Sequence, residues 1–195
     1  MYNDENITSL HLSPLLVRLK RIEIGNKCFK HVREFVIDGL ESLESVKIGK
    51  ECFRISYEER NDGVCRITNC PNLRQLEIGK GSFEDFRSFE LFNVNSIQSM
   101  TFGDCCLKFV CEFIFDGLGR VKNTNNSEIN TIDGVEERDG GLCRITNCPN
   151  LRQLDIGDDC LIIIESINIS NLNSIQSIKF GDSCFRYDDF SLKGE

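Results

Sequence analysis

A six-residue signature, apolar-Gly-x-x-Cys/Ser-Phe/Leu, returns along nearly the whole chain, at residues 24–29, 48–53, 78–83, 102–107, 156–161 and 180–185. Its glycines, Gly25, Gly49, Gly79, Gly103, Gly157 and Gly181, are spaced 24, 30, 24, 54 and 24 residues apart. The long interval is one 24-residue step and one 30-residue step, so a copy near residue 127 has lost its signature. A longer period lies over the short one. Residues 65–79 match residues 143–157 at 14 of 15 positions, and residues 95–106 match residues 173–184 at 9 of 12, both at an offset of 78. The array therefore grew by duplication of a three-repeat block. Self-similarity at such a period marks a stack of small units, none of which can bury its own apolar side alone.

The apolar spacing inside a unit says what is stacked. Phe35, Ile37, Leu40, Leu43, Val46 and Ile48 follow steps of 2, 3, 3, 3 and 2 residues, and Cys65, Ile67, Cys70, Leu73, Leu76 and Ile78 repeat them. The two-residue steps are strand segments whose middle residue faces outward. The three-residue steps are tight bends or short 3₁₀-like turns. Each unit thus supplies two short strands and two turns, and like residues of successive units stand in columns.

At these residues the chain resembles leucine-rich repeat proteins. Leu43, Val46 and Ile48 are similar to the strand half of such a repeat, and residues 70–78, with their copy at 148–156, resemble the Cys-Pro-x-Leu segment of cysteine-containing leucine-rich repeats. Residues 48–53 resemble the Ile-Gly-x-x-Ala-Phe segment of BspA-like repeats. The family's asparagine ladder is missing after this strand, and a second strand, as at Phe35, Val36 and Ile37, stands where the family has a helix. The expected fold is a β-rich solenoid: a leucine-rich-repeat-like right-handed coil of about seven repeats of 24 or 30 residues, with parallel sheets on two faces and little helix. It forms one unit over 1–195, with repeats at about 10–37, 38–67, 68–91, 92–115, 116–145, 146–169 and 170–192.

Composition narrows the function. A net charge of −8 makes nucleic acid and anionic membrane poor partners. No apolar run approaches the ~18 residues of a membrane span. The first twenty residues carry no long apolar stretch, which removes a cleavable secretory leader from this sequence; a cytoplasmic location is expected, with secretion as the alternative. Only His11 and His31 are present, both in the first repeat, so no histidine metal cluster and no Cys-His pair is expected. No phosphate loop or nucleophile elbow occurs. Neither catalysis nor a cofactor nor a metal is expected.

Eleven cysteines remain to be explained. Cys28, Cys52, Cys106, Cys160 and Cys184 share one repeat position, filled by Ser82 in another copy; Cys65 pairs by position with Cys143, and Cys70 with Cys148. Exchange with small or apolar residues points to buried structural thiols. Disulfides between Cys28 and Cys52, or Cys160 and Cys184, are geometrically conceivable at strand spacing.

The outward column of the Val46-Ile48 strands reads Glu23, Lys47, Glu77, Thr101, Asn125, Asp155 and Lys179, beside a column of Lys20, Glu44, Arg74, Gln98, Lys122, Arg152 and Gln176. Seven such strands would span roughly 29 Å. Two repeats are six residues longer, at 57–63 and 135–141, and these insertions bring Glu58, Glu59, Arg60, Glu136, Glu137 and Arg138 to one edge. In the degenerate copy, Thr124 and Asn126 stand where apolar residues stand elsewhere, which predicts a weak point or bend. The candidate protein-binding residues are Glu23, Lys47, Glu77, Thr101, Asp155 and Lys179 with those two loops. The expected function is a non-catalytic scaffold that binds a protein partner along the solenoid; BspA-like resemblance implies a fragment of a surface or secreted adhesin as the alternative. The last repeat lacks a polar capping unit, which points to continuation of a longer array or to end-to-end self-association.

Overall fold

The computed structural model describes residues 4–55, 63–118 and 141–186. Among the described residues thirteen strands form two parallel sheets, alternating between them except that β9 and β10 follow one another in the same sheet, and no helix occurs. One sheet holds β1 (Ser9–Leu12), β3 (Glu34–Asp38), β5 (Gly63–Thr68), β7 (Phe86–Phe92), β9 (Glu112–Asp116), β10 (Gly141–Thr146) and β12 (Ile164–Ser170), in that spatial order. The other holds β2 (Arg21–Ile24), β4 (Ser45–Ile48), β6 (Gln75–Ile78), β8 (Ser99–Phe102), β11 (Gln153–Ile156) and β13 (Ser177–Phe180). The chain is a β-rich parallel solenoid. Its two-residue apolar steps became the strands: Val46 and Ile48 of β4, Leu76 and Ile78 of β6, and Phe35 and Ile37 of β3 are all buried between the sheets.

The core is a set of side-chain columns. Phe29, Phe53 and Phe83 stack coil over coil with ring centroids 5.3 and 4.7 Å apart. Phe86 meets Phe83 edge-on at 4.9 Å, and Phe89 packs against Phe102 and Phe113. Each fully buried Leu, Ile or Phe of these columns contributes about 1.5–3 kcal/mol.

The signature glycines fall in one file. Gly49 N–H donates to Ile24 O, Gly79 to Ile48, Gly103 to Ile78, Gly157 to Phe102 and Gly181 to Ile156, at 2.7–2.9 Å. The backbones approach so closely that a Cβ on Gly79 would lie 2.7 Å from the Gly49 carbonyl carbon, and one on Gly157 equally close to Gly103. The atoms in the way are backbone, which cannot swing aside. Gly79→Ala is therefore expected to lower stability by about 2 kcal/mol or more, the usual scale of overpacking; equilibrium denaturation measures it, and an unchanged midpoint would show that the file can spread.

Two residues after each glycine the backbone turns left-handed, at Lys27, Glu51, Gly81, Cys105, Asp159 and Ser183 (φ 53–67°). The turn aims the amide at the next coil: Glu51 N–H reaches Lys80 O and Cys105 N–H reaches Asp158 O. A non-glycine residue at such an angle costs roughly 1–2 kcal/mol, which the inter-coil hydrogen bond offsets.

An asparagine ladder is present after all, at the end of the other sheet's strands. Asn69 donates to Asp38, and Asn93 donates to Asn69 at 3.0 Å; 78 residues on, Asn147 donates to Asp116 and Asn171 to Asn147. Each run begins on an aspartate that only accepts. The four asparagines share φ of 54–56°, a region that asparagine tolerates better than most residues.

The expectation of seven strands on the Val46-Ile48 face is corrected. β8 pairs directly with β11, Met100 beside Leu154 and Phe102 beside Ile156, and Lys122 and Asn125 of the two surface columns lie outside the described residues, as does the weak point expected around Thr124 and Asn126. The opposite sheet keeps its strand for this coil, since β9 joins β7 to β10. The physical reason is the core. Thr124 and Asn126 would put two polar side chains where neighbouring coils bury valine, isoleucine or phenylalanine, whereas closing β8 onto β11 keeps both columns apolar. Among the described residues one sheet is thus one strand wider than the other, by about 4.8 Å.

Candidate functional site

The six strands of the smaller sheet hold Glu23, Lys47, Glu77, Thr101, Asp155 and Lys179 in one register line on the outer surface. Lys47 Nζ bonds both carboxylate oxygens of Glu77, at 2.8 and 3.0 Å, and this partner raises the Lys47 pKa. In the flanking column Lys20 donates to Glu44 at 3.0 Å and holds the Glu44 carboxyl below its usual range. Both pairs are solvent-exposed and contribute little to folding. Their role is to neutralise one half of the face.

The other half differs. The direct β8–β11 pairing brings the two copies of the duplicated block together, so that Arg74, Gln98, Arg152 and Gln176, each just before its strand, follow one another across the sheet through backbone hydrogen bonds. With Gln75, Ser99, Gln153 and Ser177 they line an open groove of about 420 Å³. Arg74 and Arg152 stand two strand steps apart, about 9.6 Å. Each offers a planar fork of donors, and each glutamine between and beside them offers both a donor and an acceptor. The individual residues of this column are legible in the sequence. Their closing up is not, because it depends on β8 pairing with β11.

The loop candidates Glu58, Glu59, Arg60, Glu136, Glu137 and Arg138 lie outside the described residues. The residues that follow them, Gly63 and Gly141, open β5 and β10, three strand positions apart in the larger sheet.

All eleven cysteines are thiols in this structure. The shared column has a function that the sequence did not reveal. Cys52 Sγ donates to Gly25 O at 2.9 Å, Cys106 to Gly79 O at 2.9 Å, Cys160 to Gly103 O at 3.4 Å and Cys184 to Gly157 O at 3.1 Å. Ser82 Oγ makes the same bond to Gly49 O at 2.8 Å, which explains the Cys/Ser exchange. The position wants a small donor for the carbonyl of the coil before it. Burial pushes Cys70 up to about 11 and Cys106, Cys143 and Cys148 up to about 12. Cys184 differs: a hydrogen bond from the Cys160 thiol beside it draws its pKa down, and it is only partly buried. A thiol reagent at pH 8 is expected to label Cys184 well before Cys65, Cys106, Cys143 or Cys148, as peptide mapping after brief alkylation would show; labelling of all five at one rate would contradict this arrangement.

His11 projects from β1 and meets Glu34 at 3.1 Å. Among the described residues no group of three or more His, Cys, Asp or Glu is arranged to hold a metal ion. No helix among them is long and apolar enough to cross a membrane.

No family model, no curated protein and no solved structure matches this chain. What the face can do therefore rests on its own geometry: a rigid ruler of side chains at strand spacing, ion-paired at one end and presenting arginine and glutamine at the other.

Proposed function

We propose that the chain is a non-catalytic, leucine-rich-repeat-like scaffold that binds a protein partner across the outer face of the six-stranded sheet. The observation that carries this reading is the Arg74-Gln98-Arg152-Gln176 groove. Two arginines held on strands about 9.6 Å apart suit carboxylates three residues apart in a polyproline II segment, which returns to the same face every three residues and rises about 3.1 Å per residue. The glutamines suit that segment's backbone amides. Parallel strands fix the backbone spacing in advance, so binding orders only the side chains, which favours affinity. The raised pKa values of the core thiols agree with a structural use of cysteine, since a protonated thiol is a poor nucleophile.

The test is quantitative capture of the partner by three proteins: wild type, the doubly reversed Arg74→Glu/Arg152→Glu variant, and a variant with both long loops cut to the 24-residue period. Both arginines are exposed, so the reversal leaves the fold intact. The reversed variant is expected to bind roughly ten-fold or more weakly, the scale of arginine hot spots, and the loop variant as wild type. The opposite pattern would move the site to the loops.

A further inference from the structure

The groove does not end at Arg74. Lys20, Glu44, Arg74, Gln98, Arg152 and Gln176 form one column in which, from Glu44 onward, each backbone N–H donates to the carbonyl of the preceding member at 2.8–2.9 Å. On the near side of Arg74 a second hollow of about 250 Å³ is lined by Lys20, Ser42, Glu44, Asn72 and Arg74. Arg74 borders both hollows, so the concave surface runs on from Gln176 to Lys20. Its two parts differ in charge. Lys20 and Glu44 neutralise each other at 3.0 Å, so this end does not call for an acidic ligand group.

Beside the second hollow a turn holds three successive apolar residues in water. Leu15, Leu16 and Val17 are 88%, 43% and 64% exposed. The turn is pinned. Ser42, which lines the hollow, donates its hydroxyl to Val17 O at 2.6 Å, and the Leu16 and Leu19 N–H groups donate to Ser13 O and Leu16 O. Pro14 sits so close to Gly39 that a Cβ there would lie 2.8 Å from the proline Cγ. Val17 takes the corner position that Glu41 and Pro71 hold on the next two coils, and those residues are exposed as well. Its exposure therefore follows from the corner and not from standing on the first coil. Single apolar residues are ordinary on a surface; three in succession, held in place, mark a contact site.

We propose that the groove takes an acidic polyproline II segment with an apolar residue three positions beyond the carboxylate that meets Arg74, and that Leu15 and Val17 receive this residue. The proposal rests on the assignment of the Arg74 and Arg152 groove as the partner site. Arg152 and Arg74 are held two strand steps apart, and so are Arg74 and Lys20, about 9.6 Å in each case. A polyproline II segment returns to one face every three residues with a rise of about 9.3 Å. Its first two marks meet guanidinium groups. Its third meets the neutral Lys20 and Glu44 pair at the edge of the apolar turn, where a carboxylate would face Glu44 and an apolar side chain covers Leu15 and Val17.

Fluorescence anisotropy with capped, dye-labelled heptapeptides tests this: Glu-Pro-Pro-Glu-Pro-Pro-Leu, its reverse, and both with serine in place of leucine. In one of the two orders the leucine peptide is expected to bind roughly ten-fold more tightly than its serine counterpart, the scale of one largely buried leucine. On Leu15→Ser/Val17→Ser protein the two are expected to bind alike, with an unchanged circular dichroism spectrum as the check on folding. On Arg74→Glu/Arg152→Glu protein both are expected to bind roughly ten-fold or more weakly. Moving the leucine one residue nearer the glutamates removes its advantage. Leucine and serine peptides that bind wild type alike in both orders, or an advantage that survives either the two serine substitutions or the shift, overturn the proposal, while binding that still needs the arginines leaves the groove assignment standing. Peptides indifferent to the arginine reversal, or no binding by any of them, overturn the groove assignment and the proposal together.

Discussion

Phe83→Ala is expected to destabilise the protein by about 4 kcal/mol, the middle of the range for a buried phenylalanine. The ring is fully buried, and it lies 4.7 Å from Phe53, 4.9 Å from Phe86 and 5.5 Å from Phe89, centroid to centroid. Its neighbours belong to the coils before and after it, and their backbones are tied by the glycine file, so the cavity cannot collapse. The consequence exceeds one lost side chain. In a solenoid each coil contacts only its neighbours, so a weakened third coil uncouples the coils before it from those after it. Urea denaturation followed by far-ultraviolet circular dichroism is expected to show an earlier and broader transition, or two transitions. Phe180→Ala, at 42% exposure, is expected to cost less than about half as much. Equal losses at the two positions would mean that the phenylalanine column does not carry the core.

Moderate alkali is expected to unfold the protein. In the native state burial holds Cys70 near 11 and Cys106, Cys143 and Cys148 near 12. In the unfolded chain the same thiols titrate near 8.5. Below that pH both states keep their protons and the full stability is present. Above it the unfolded chain releases protons that the native state retains, and each such thiol removes about 1.4 kcal/mol per pH unit until the native pKa is reached. By pH 10 the four together remove on the order of 8 kcal/mol, comparable with the whole stability of an ordinary domain. The thiolate absorbance and the loss of strand signal are expected to rise together in one transition. Smooth titration of every thiol near pH 9 with the strands intact would show that the core admits water.

The columns of this fold could be read from the sequence because a solenoid writes each core position many times over. Leu43, Leu73 and Leu151 occupy one place in three coils, and the two-residue steps around Val46, Leu76 and Leu154 could only be strands with one face inward. What the spacing could not convey was which copies touch. Thr124 and Asn126 were visible as lost apolar residues, but counting copies stacks every one of them. Whether a defective copy remains in the sheet is decided by a competition between burying two polar side chains and pairing β8 with β11, and that competition has no sequence signature. The ladder of Asn69, Asn93, Asn147 and Asn171 went unseen because it caps the opposite strand from the one the resemblance points to. The donor role of the cysteine column was hidden because each acceptor lies one coil away. The same is true of the candidate site: its charged residues were each identifiable, and their juxtaposition was not.

The bypassed coil has a consequence for engineering. Gly117 N–H is fixed to Thr146 O and Gly141 N–H to Ile163 O, while both sheets run past this place through β9–β10 and β8–β11. Neither hydrogen-bonded ladder depends on the length or identity of the chain joining these two glycines. A foreign loop grafted between these two glycines is therefore expected to leave the β9–β10 and β8–β11 pairings in place, and an unchanged strand signal in circular dichroism checks it.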